Sequence, residues 1–409
     1  MTIPVAGEPE TARAAGLRRR EGGRLEPSPR LAVIVHVLEL PAEAAWICRW
    51  LTGIALHSDR RRFRHAVVSL GPRTTLHSAL ERAGVQTHAL GAAGKREYPR
   101  AVVELRRYLR RQRADIVQTH FFYPSVLGLV GASAARTRVR IVTRHHSDFT
   151  TEFHHPLHRQ ADRLQALWSD RVIAASDAVK RAMIDLEHVP SSKIAVARYA
   201  YDFNSLQPVL SGPERLALRR QLAGKDATIL VTVARLYVSK GHRYLFEAMP
   251  AILSAHPSCR LLLLGNGPMR EELTELARYH GIERAVSFLG WRGDAARIIE
   301  AADLVVHPSL HEAFCNVIIE AMALERPLVA TNVAGAPEQV QNGASGILVP
   351  PRDSAALAEA VVSLLDDPAR ARAMGKEARR KVNEEFSFAT MVALYESIYD
   401  ELLSSAHRR

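Results

Sequence analysis

From about residue 31 onward, short β-branched or leucine-rich runs alternate with longer stretches of helical period along almost the whole chain. That alternation predicts βαβ units assembled around parallel sheets. A first series of strand candidates is LAVIVHVL (31–38), HAVVSL (65–70), ADIVQTH (114–120), VRIVTRH (139–145), RVIAAS (171–176) and KIAVARY (193–199). A second is ATILVTVAR (227–235), CRLLLLG (259–265), AVSFLG (285–290), DLVVHPS (303–309), PLVAT (327–331) and GILVP (346–350). Their near-continuous hydrophobicity, in place of strict alternation, is what strands covered by helices on both faces require.

The two series are separated by FNSLQPVLSGPERLALRRQLAGKD (203–226), where Pro and Gly cluster and strand-like runs stop, so a domain boundary is expected near residue 205. Ser211 followed by Pro213 and Glu214 predicts a capped helix start. Near the C-terminus, Met391, Leu394, Ile398 and Leu402 recur at helical spacing, which predicts a terminal helix whose partner domain the spacing does not choose. Residues 1–29 are expected to be a mobile basic tail, since they hold no apolar segment of the kind a secretory signal needs.

Composition narrows the class. At roughly 150 residues per domain, 409 residues suggest two or three domains, each able to bury a core. With 47% apolar and 24% charged residues the chain is neither disordered, collagenous nor disulfide-stapled. Cys48, Cys259 and Cys315 are far apart and form no CxxC pair, which fits a reducing cytoplasm and argues against thiolate zinc. The longest apolar stretch, 126–135, is broken by Gly and Ser and falls well short of the ~18 residues a spanning helix needs. The unusual feature is charge: 55 Lys plus Arg against 43 Asp plus Glu leave +12.

Candidate chemistry concentrates in DLVVHPSLHEAFCNVIIEAMALERPLVATNVAGAPE (303–338), where a buried strand leads into a helix starting near Cys315. In open α/β sheets, the carboxyl end of a strand followed by a helix N-terminus attracts anions, and a diphosphate suits that place. Glu312 precedes this helix and Glu320 lies inside it, two carboxylates able to accept hydrogen bonds from hydroxyls on either side of a phosphate. On another strand-to-helix loop, ARLYVSKGHRYLFEAM brings Arg235 and Lys240, two cations that can neutralise a diphosphate as it is held and as it leaves. GNGPMREEL (265–273) adds Gly265 and Gly267, where backbone can approach a nucleotide or make a tight turn.

Together, Arg235, Lys240, Gly267, Pro308–Ser309, Glu312, Glu320 and GAPE (335–338) resemble glycosyltransferase family 4 over about residues 30–405. The resemblance implies the GT-B fold: two Rossmann-like α/β domains facing across a cleft. The first is an acceptor domain (30–205) joined by the terminal helix (388–405), and the second (206–387) binds the nucleotide sugar. It also implies roles. Arg235 and Lys240 match the family's diphosphate-binding pair, Glu312 the first glutamate of the E-x7-E motif, which contacts the donor sugar, and Glu320 the second, which holds the ribose. Phe314, Cys315 and Asn316 follow where backbone amides approach the donor. VTRHHSDF matches a V-T-x-H strand end and puts His145 in the cleft against the donor sugar, with His146 next in register.

HHSDFTTEFHHPLH also invites a metal reading, since His154 and His158 have helical i, i+4 spacing, but Pro156 lies between them and no acidic or thiolate ligand set accompanies them. No Asp-x-Asp motif is present, so neither a metal nor another cofactor is expected beyond a nucleotide diphosphate sugar, such as a UDP- or GDP-sugar, as substrate. Where the family usually has Gly-Gly after the first strand this chain has LELPAEAAW, ARYAYD replaces P-N-G-x-D, and Glu325 stands in place of a glycine. These departures touch acceptor identity more than the donor site.

The activity implied is glycosyl transfer with retention to an acceptor hydroxyl, in glycan, polysaccharide or glycolipid synthesis. The alternatives are a GT-B epimerase or phosphorylase, or a noncatalytic sugar-nucleotide-binding protein. Residues 100–113, RAVVELRRYLRRQR, hold six arginines, and on a helix Arg106, Arg110 and Arg113 share a face beside Val102, Leu105 and Leu109. Such a helix either rests on an anionic inner membrane face or is a solvated basic surface over an ordinary core stripe. A cytoplasmic protein, peripheral on that membrane, is the expectation. Nucleic acid is not expected as a partner, since no recognition motif or aromatic platform accompanies the charge.

Overall fold

The computed structural model describes residues 30–41, 45–145, 156–200 and 209–408. The tail expected over 1–29, the boundary near 205, and His146 and His154 lie outside the described residues. Seven strands form the first sheet: β1 (Ala32–Leu38), β2 (Phe63–Ser69), β3 (Gln86–Ala89), β4 (Ile116–His120), β5 (Val139–Arg144), β6 (Arg171–Ala174) and β7 (Ile194–Val196). Its order is β3-β2-β1-β4-β5-β6-β7 and every pairing is parallel. Six strands form the second: β8 (Thr228–Val233), β9 (Cys259–Leu264), β10 (Val286–Gly290), β11 (Leu304–His307), β12 (Leu328–Thr331) and β13 (Ile347–Val349). It is also wholly parallel, in the order β10-β9-β8-β11-β12-β13. Both orders reverse beside the first strand of their domain, the doubly wound pattern that leaves a crevice at the carboxyl ends of the strands.

The apolar runs become strands because both of their faces are covered. In β1, Ile34 and Leu38 join one core cluster while Val33, Val35 and Val37 join another on the opposite face. Full burial of each such side chain is worth about 1.5–3 kcal/mol, so a run without alternation is the stable choice. Every strand in the two expected series is present. The one that hydrophobicity did not announce is β3, QTHA, a partly exposed edge strand with no apolar run to mark it. The helix Gly212–Ala223 starts as expected: Ser211 N donates to Glu214 Oε2 at 2.9 Å and Glu214 N donates to Ser211 Oγ at 3.4 Å.

The terminal helix, Phe388–Ala406, chooses the first domain. Trp50 Nε1 donates to Met391 Sδ at 3.3 Å, Tyr399 donates its hydroxyl to Gln118 Oε1 on β4 at 2.6 Å, and Arg62 and Arg171 pair with Asp400 and Glu401.

The basic helix Tyr98–Gln112 takes the second of the two readings open to its apolar stripe, the ordinary core stripe. Its apolar stripe is not free for lipid: Leu105 and Leu109 are fully buried in the first-domain core. Arg106 Nε and an Arg110 guanidinium nitrogen each donate to Ala134 O at 3.2 Å, at the carboxyl end of the helix Phe122–Ala135. Cations are favoured there by the helix dipole, so part of the basic face has a structural use.

Candidate active site

In the second domain, β8 delivers the chain to Arg235 and then to a single 3-10 turn, Val238–Lys240. Gly241 follows at φ 64°, where a Cβ would stand 2.0 Å from Pro308 O, so only glycine lets the β8 and β11 loops close on each other. Leu310 N then donates to Ser239 O at 2.7 Å. This packing brings Lys240 Nζ to 2.7 Å from Glu312 Oε1. The same oxygen accepts from His307 Nε2 at 2.9 Å and from Ser309 Oγ at 2.9 Å. Burial alone would raise the Glu312 carboxyl, but Lys240 and His307 outweigh it and hold it down at about 2. Burial would likewise lower His307, yet Cys315 and Glu312 beside it push it up to about 10. The centre is therefore a buried anion saturated with donors.

Around it, His307 Nε2, Glu312 Oε1 and Cys315 Sγ lie within 4.8 Å of one another, the geometry of a small metal group. Lys240 already supplies the positive charge to that carboxylate, so the cluster is self-neutralised as it stands. Phe314 and Cys315 are buried, and the helix Asn316–Ala323 begins immediately after them. Of the three amides singled out in the sequence, that of Cys315 donates to Gln339 Oε1 at 3.0 Å, while Gln339 Nε2 donates back to Cys315 O at 2.7 Å. The Asn316 side-chain oxygen is buried without a hydrogen-bond partner. Gly267 has a packing reason for being glycine: a Cβ there would meet Leu236 O at 2.3 Å, where the β9 loop crosses the β8 loop. Arg235 is exposed, its guanidinium 4.6 Å above the Tyr237 ring, and thus projects from the same loop as Lys240 without joining its ion pair.

Glu320 stands one helical segment further along, buried enough that its carboxyl is raised, with Arg49 of the first domain opposing the rise. Arg49 reaches it at 3.7 Å across the cleft. A firmer bridge lies at Glu338, which accepts from Asp177 N at 3.0 Å, Ala178 N at 2.8 Å and Arg198 Nε at 3.1 Å. A carboxylate from one domain thereby caps the N-terminus of the helix Asp177–Asp185 of the other, where the dipole favours negative charge.

His145 directly follows β5 and is buried, with Nε2 at 2.8 Å from His120 Nδ1 and Nδ1 hydrogen-bonded to the Tyr199 hydroxyl. Its ring lies 4.8 Å from Phe121, which is held at φ 67°, a backbone region costing a non-glycine residue about 1–3 kcal/mol. Tyr199 in turn meets Phe314 edge to face at 5.5 Å. His145 therefore reaches the Glu312 loop through Tyr199 and Phe314.

Residues 49–204 match the family model described as Glycosyltransferase Family 4, and residues 227–367 match Glycosyl transferases group 1. The chain belongs to glycosyltransferase family 4. A glycogen synthase of Mycobacterium tuberculosis is 32% identical over 233 residues, covering 56% of this chain and 54% of that protein. The chain thus spans about half the length of this curated relative. An alpha-D-kanosaminyltransferase of Streptomyces kanamyceticus is 26% identical over 74% of this chain and 81% of its own. The crystal structure of Anabaena Alr3699/HepE in complex with UDP superposes with a TM-score of 0.78 at 22% identity, over 91% of this chain and 100% of that one. The two facing parallel-sheet domains are the GT-B fold.

For a family 4 chain the motif residues Lys240, Glu312, Phe314 and Cys315 assemble as one cluster, while Arg235, Gly267, Glu320 and His145 frame it. Sequence reasoning missed His307, which lay inside the DLVVHPS segment without a role, and Gln339, one residue beyond GAPE. It also missed Arg49 and Glu338 as cleft-spanning charges, and His36, His65, His120 and Tyr199 behind His145. A histidine within or just after several of the strand candidates was the available signal.

Proposed function

We propose that this chain is a retaining glycosyltransferase that moves a sugar from a nucleotide diphosphate sugar to an acceptor hydroxyl in glycan, polysaccharide or glycolipid synthesis. The observation that carries this reading is the Lys240–Glu312 contact at 2.7 Å, formed at the carboxyl ends of β8 and β11 where a doubly wound domain binds nucleotides. An arriving diphosphate competes with Glu312 for Lys240, and Arg235 on the same loop adds a second cation. Glu312, released in part from Lys240, remains ionised through His307 and Ser309 and is free to accept from donor-sugar hydroxyls. Glu320 receives the ribose hydroxyls in exchange for Arg49.

In the transfer step the leaving diphosphate takes the acceptor proton on the same face of the sugar, and Arg235 and Lys240 stabilise the charge that grows on it. These cations supply the electrostatic help a metal gives elsewhere, so the reading needs no divalent ion. The phosphoryl groups and the sugar are held by the second domain and the acceptor is presented by the first, which puts His145 at the boundary between them.

Attachment to an anionic inner membrane face is part of the same reading. Arg100, Arg107, Arg111 and Arg113 are exposed around the helix Tyr98–Gln112, and no helix among the described residues is long and apolar enough to cross a membrane. With the apolar stripe buried, attachment is electrostatic and salt-sensitive. Liposome flotation with anionic lipid tests it, and no binding at moderate salt rejects it.

The catalytic reading is tested by incubating the protein with a panel of nucleotide sugars, with and without acceptor alcohols, and following free nucleoside diphosphate. Acceptor-dependent release with a retained anomeric configuration in the product supports it. Release without transfer, or sugar conversion on the intact donor, points to a hydrolytic or epimerase activity instead.

A further inference from the structure

The helix Phe122–Ala135 packs between two others, Tyr98–Gln112 on one side and Pro156–Trp168 on the other. Val117, in the core under Tyr98–Gln112, pairs with Arg140. Val172, in the core under Pro156–Trp168, pairs with Val142, two residues further along β5. Residues two apart on a strand point the same way, so the three helices form one layer on one face of the sheet. The two flanking helices show different outward faces. Tyr98–Gln112 presents arginines, whereas Pro156–Trp168 presents apolar side chains: Leu157 is 70% exposed, Leu164 64%, Trp168 45% and Leu167 40%. Leu157, Leu164 and Trp168 recur at i, i+7 and i+11, one line along the helix with Leu167 beside it, while Asp162, Gln165 and Ala166 are buried on the opposite side. Leu186, just past the helix Asp177–Asp185, is also exposed and lines one depression together with Arg159 and Arg163.

A contiguous apolar stripe on the outside of a layer marks a surface that something covers. Charge selects the cover. Arg159 and Arg163 flank the stripe, and Arg100, Arg107 and Arg111 stand across the same layer. The two acids of these helices are already engaged: Glu104 Oε1 lies 3.0 Å from His88 Nε2, and Asp162 is buried against Arg144. The surface is therefore apolar and cationic together, which suits a bilayer with anionic headgroups. Arginines reach the phosphates, leucines enter the acyl boundary and tryptophan settles at the interface. A second copy meeting the same surface would set arginine against arginine, with both acids of the layer spoken for.

We propose that the helix Pro156–Trp168 lies in the headgroup region of an anionic membrane, with Leu157, Leu164, Leu167 and Trp168 inserted and Arg159 and Arg163 on lipid phosphates. The proposal rests on the membrane-attachment reading and deepens it. The helix Tyr98–Gln112 supplies an attraction that salt screens, and Pro156–Trp168 supplies an apolar anchor that salt does not.

The test is flotation of the full chain with phosphatidylglycerol or phosphatidylcholine vesicles, together with tryptophan fluorescence. The wild type is expected to float with phosphatidylglycerol far more than with phosphatidylcholine, and to keep part of that binding at about 1 M salt, where charges are screened beyond about 3 Å. Brominated acyl chains are expected to quench Trp168, a signal that W168F removes. L157Q/L164Q changes two mostly exposed side chains, so it is expected to keep its fold by circular dichroism and to lower the partition coefficient about tenfold at high salt. R107Q/R111Q is expected to weaken binding at low salt only. Binding that vanishes entirely at high salt, or that L157Q/L164Q leaves unchanged, overturns the anchor and leaves the arginine attachment standing. Equal flotation with both lipids overturns the anionic partner, and no flotation of the wild type at low salt overturns anchor and attachment together. A dimer in sedimentation that L157Q/L164Q dissolves assigns the face to a second copy and overturns the proposal.

Discussion

Lys240 and Glu312, 72 residues apart in the chain, meet at 2.7 Å because a glycine at 241 lets two strand-to-helix loops touch. The ion pair is largely buried, and Glu312 keeps His307 and Ser309 as partners if the lysine is removed. Lys240→Ala is therefore expected to fold normally by circular dichroism while kcat/KM falls about 10²–10³-fold, the usual cost of losing one preorganised charge at a reacting centre. Near-normal turnover would sink the diphosphate assignment.

Glu320→Ala is expected to weaken nucleotide affinity about tenfold, with a smaller effect on kcat, as titration calorimetry with nucleoside diphosphates would record. Arg49→Ala separates the two partners of this glutamate. Arg49 is 65% exposed, and an exposed ion pair contributes little, so its loss should leave nucleotide affinity nearly unchanged.

Glu338 joins the domains through two backbone amides and Arg198. Charge-assisted hydrogen bonds contribute about 1.5–3 kcal/mol each, so Glu338→Ala should shift the ligand-free chain toward a more open arrangement. Small-angle scattering should show a larger radius of gyration; an unchanged profile would mean that other contacts hold the domains together.

Glu187 gives a pH dependence. Its carboxyl is buried beside Arg144 and Asp162; burial raises it from 4.5 to about 7, and Arg144 only partly opposes the rise. The folded protein thus holds this proton more tightly than the unfolded chain, so stability is full below about 4.5 and declines as pH rises toward about 7. Glu187→Gln should match the wild type near pH 4.5 and exceed it by roughly 3 kcal/mol at pH 8, measured by denaturant unfolding. Equal stabilities at pH 8 would refute the shift.

The terminal helix offers a stability test. Tyr399→Phe removes the hydroxyl that satisfies Gln118 and leaves a buried acceptor without its donor. A loss of about 1–3 kcal/mol is expected, read as a lower Tm.

The strands and their division into two series were legible in the sequence, because a parallel strand buried on both faces must be apolar along its whole length. Ser211 and Glu214 announced their capping box for a similar reason: the interaction is local, spanning three residues. Lys240, Glu312 and Glu320 were legible through a motif, as residue types that a diphosphate and hydroxyls require. β3 was not legible, since an edge strand such as QTHA is fixed by hydrogen bonds to β2 and not by an apolar run of its own.

What tertiary structure alone decided are the relations across long sequence separations. The pattern of Val102, Leu105 and Leu109 fitted a lipid-facing or a core-facing helix equally well, and packing against the helix Phe122–Ala135 selected the core. Arg49 and Glu338 are ordinary surface charges until the domains face each other. His36, His65 and His120 sit on three different strands and His145 just past the end of a fourth, and only the order β2-β1-β4-β5 places them side by side. Local sequence encodes which segments must hide from water; which polar groups then meet is set by strand order and domain apposition, and no single segment carries that information.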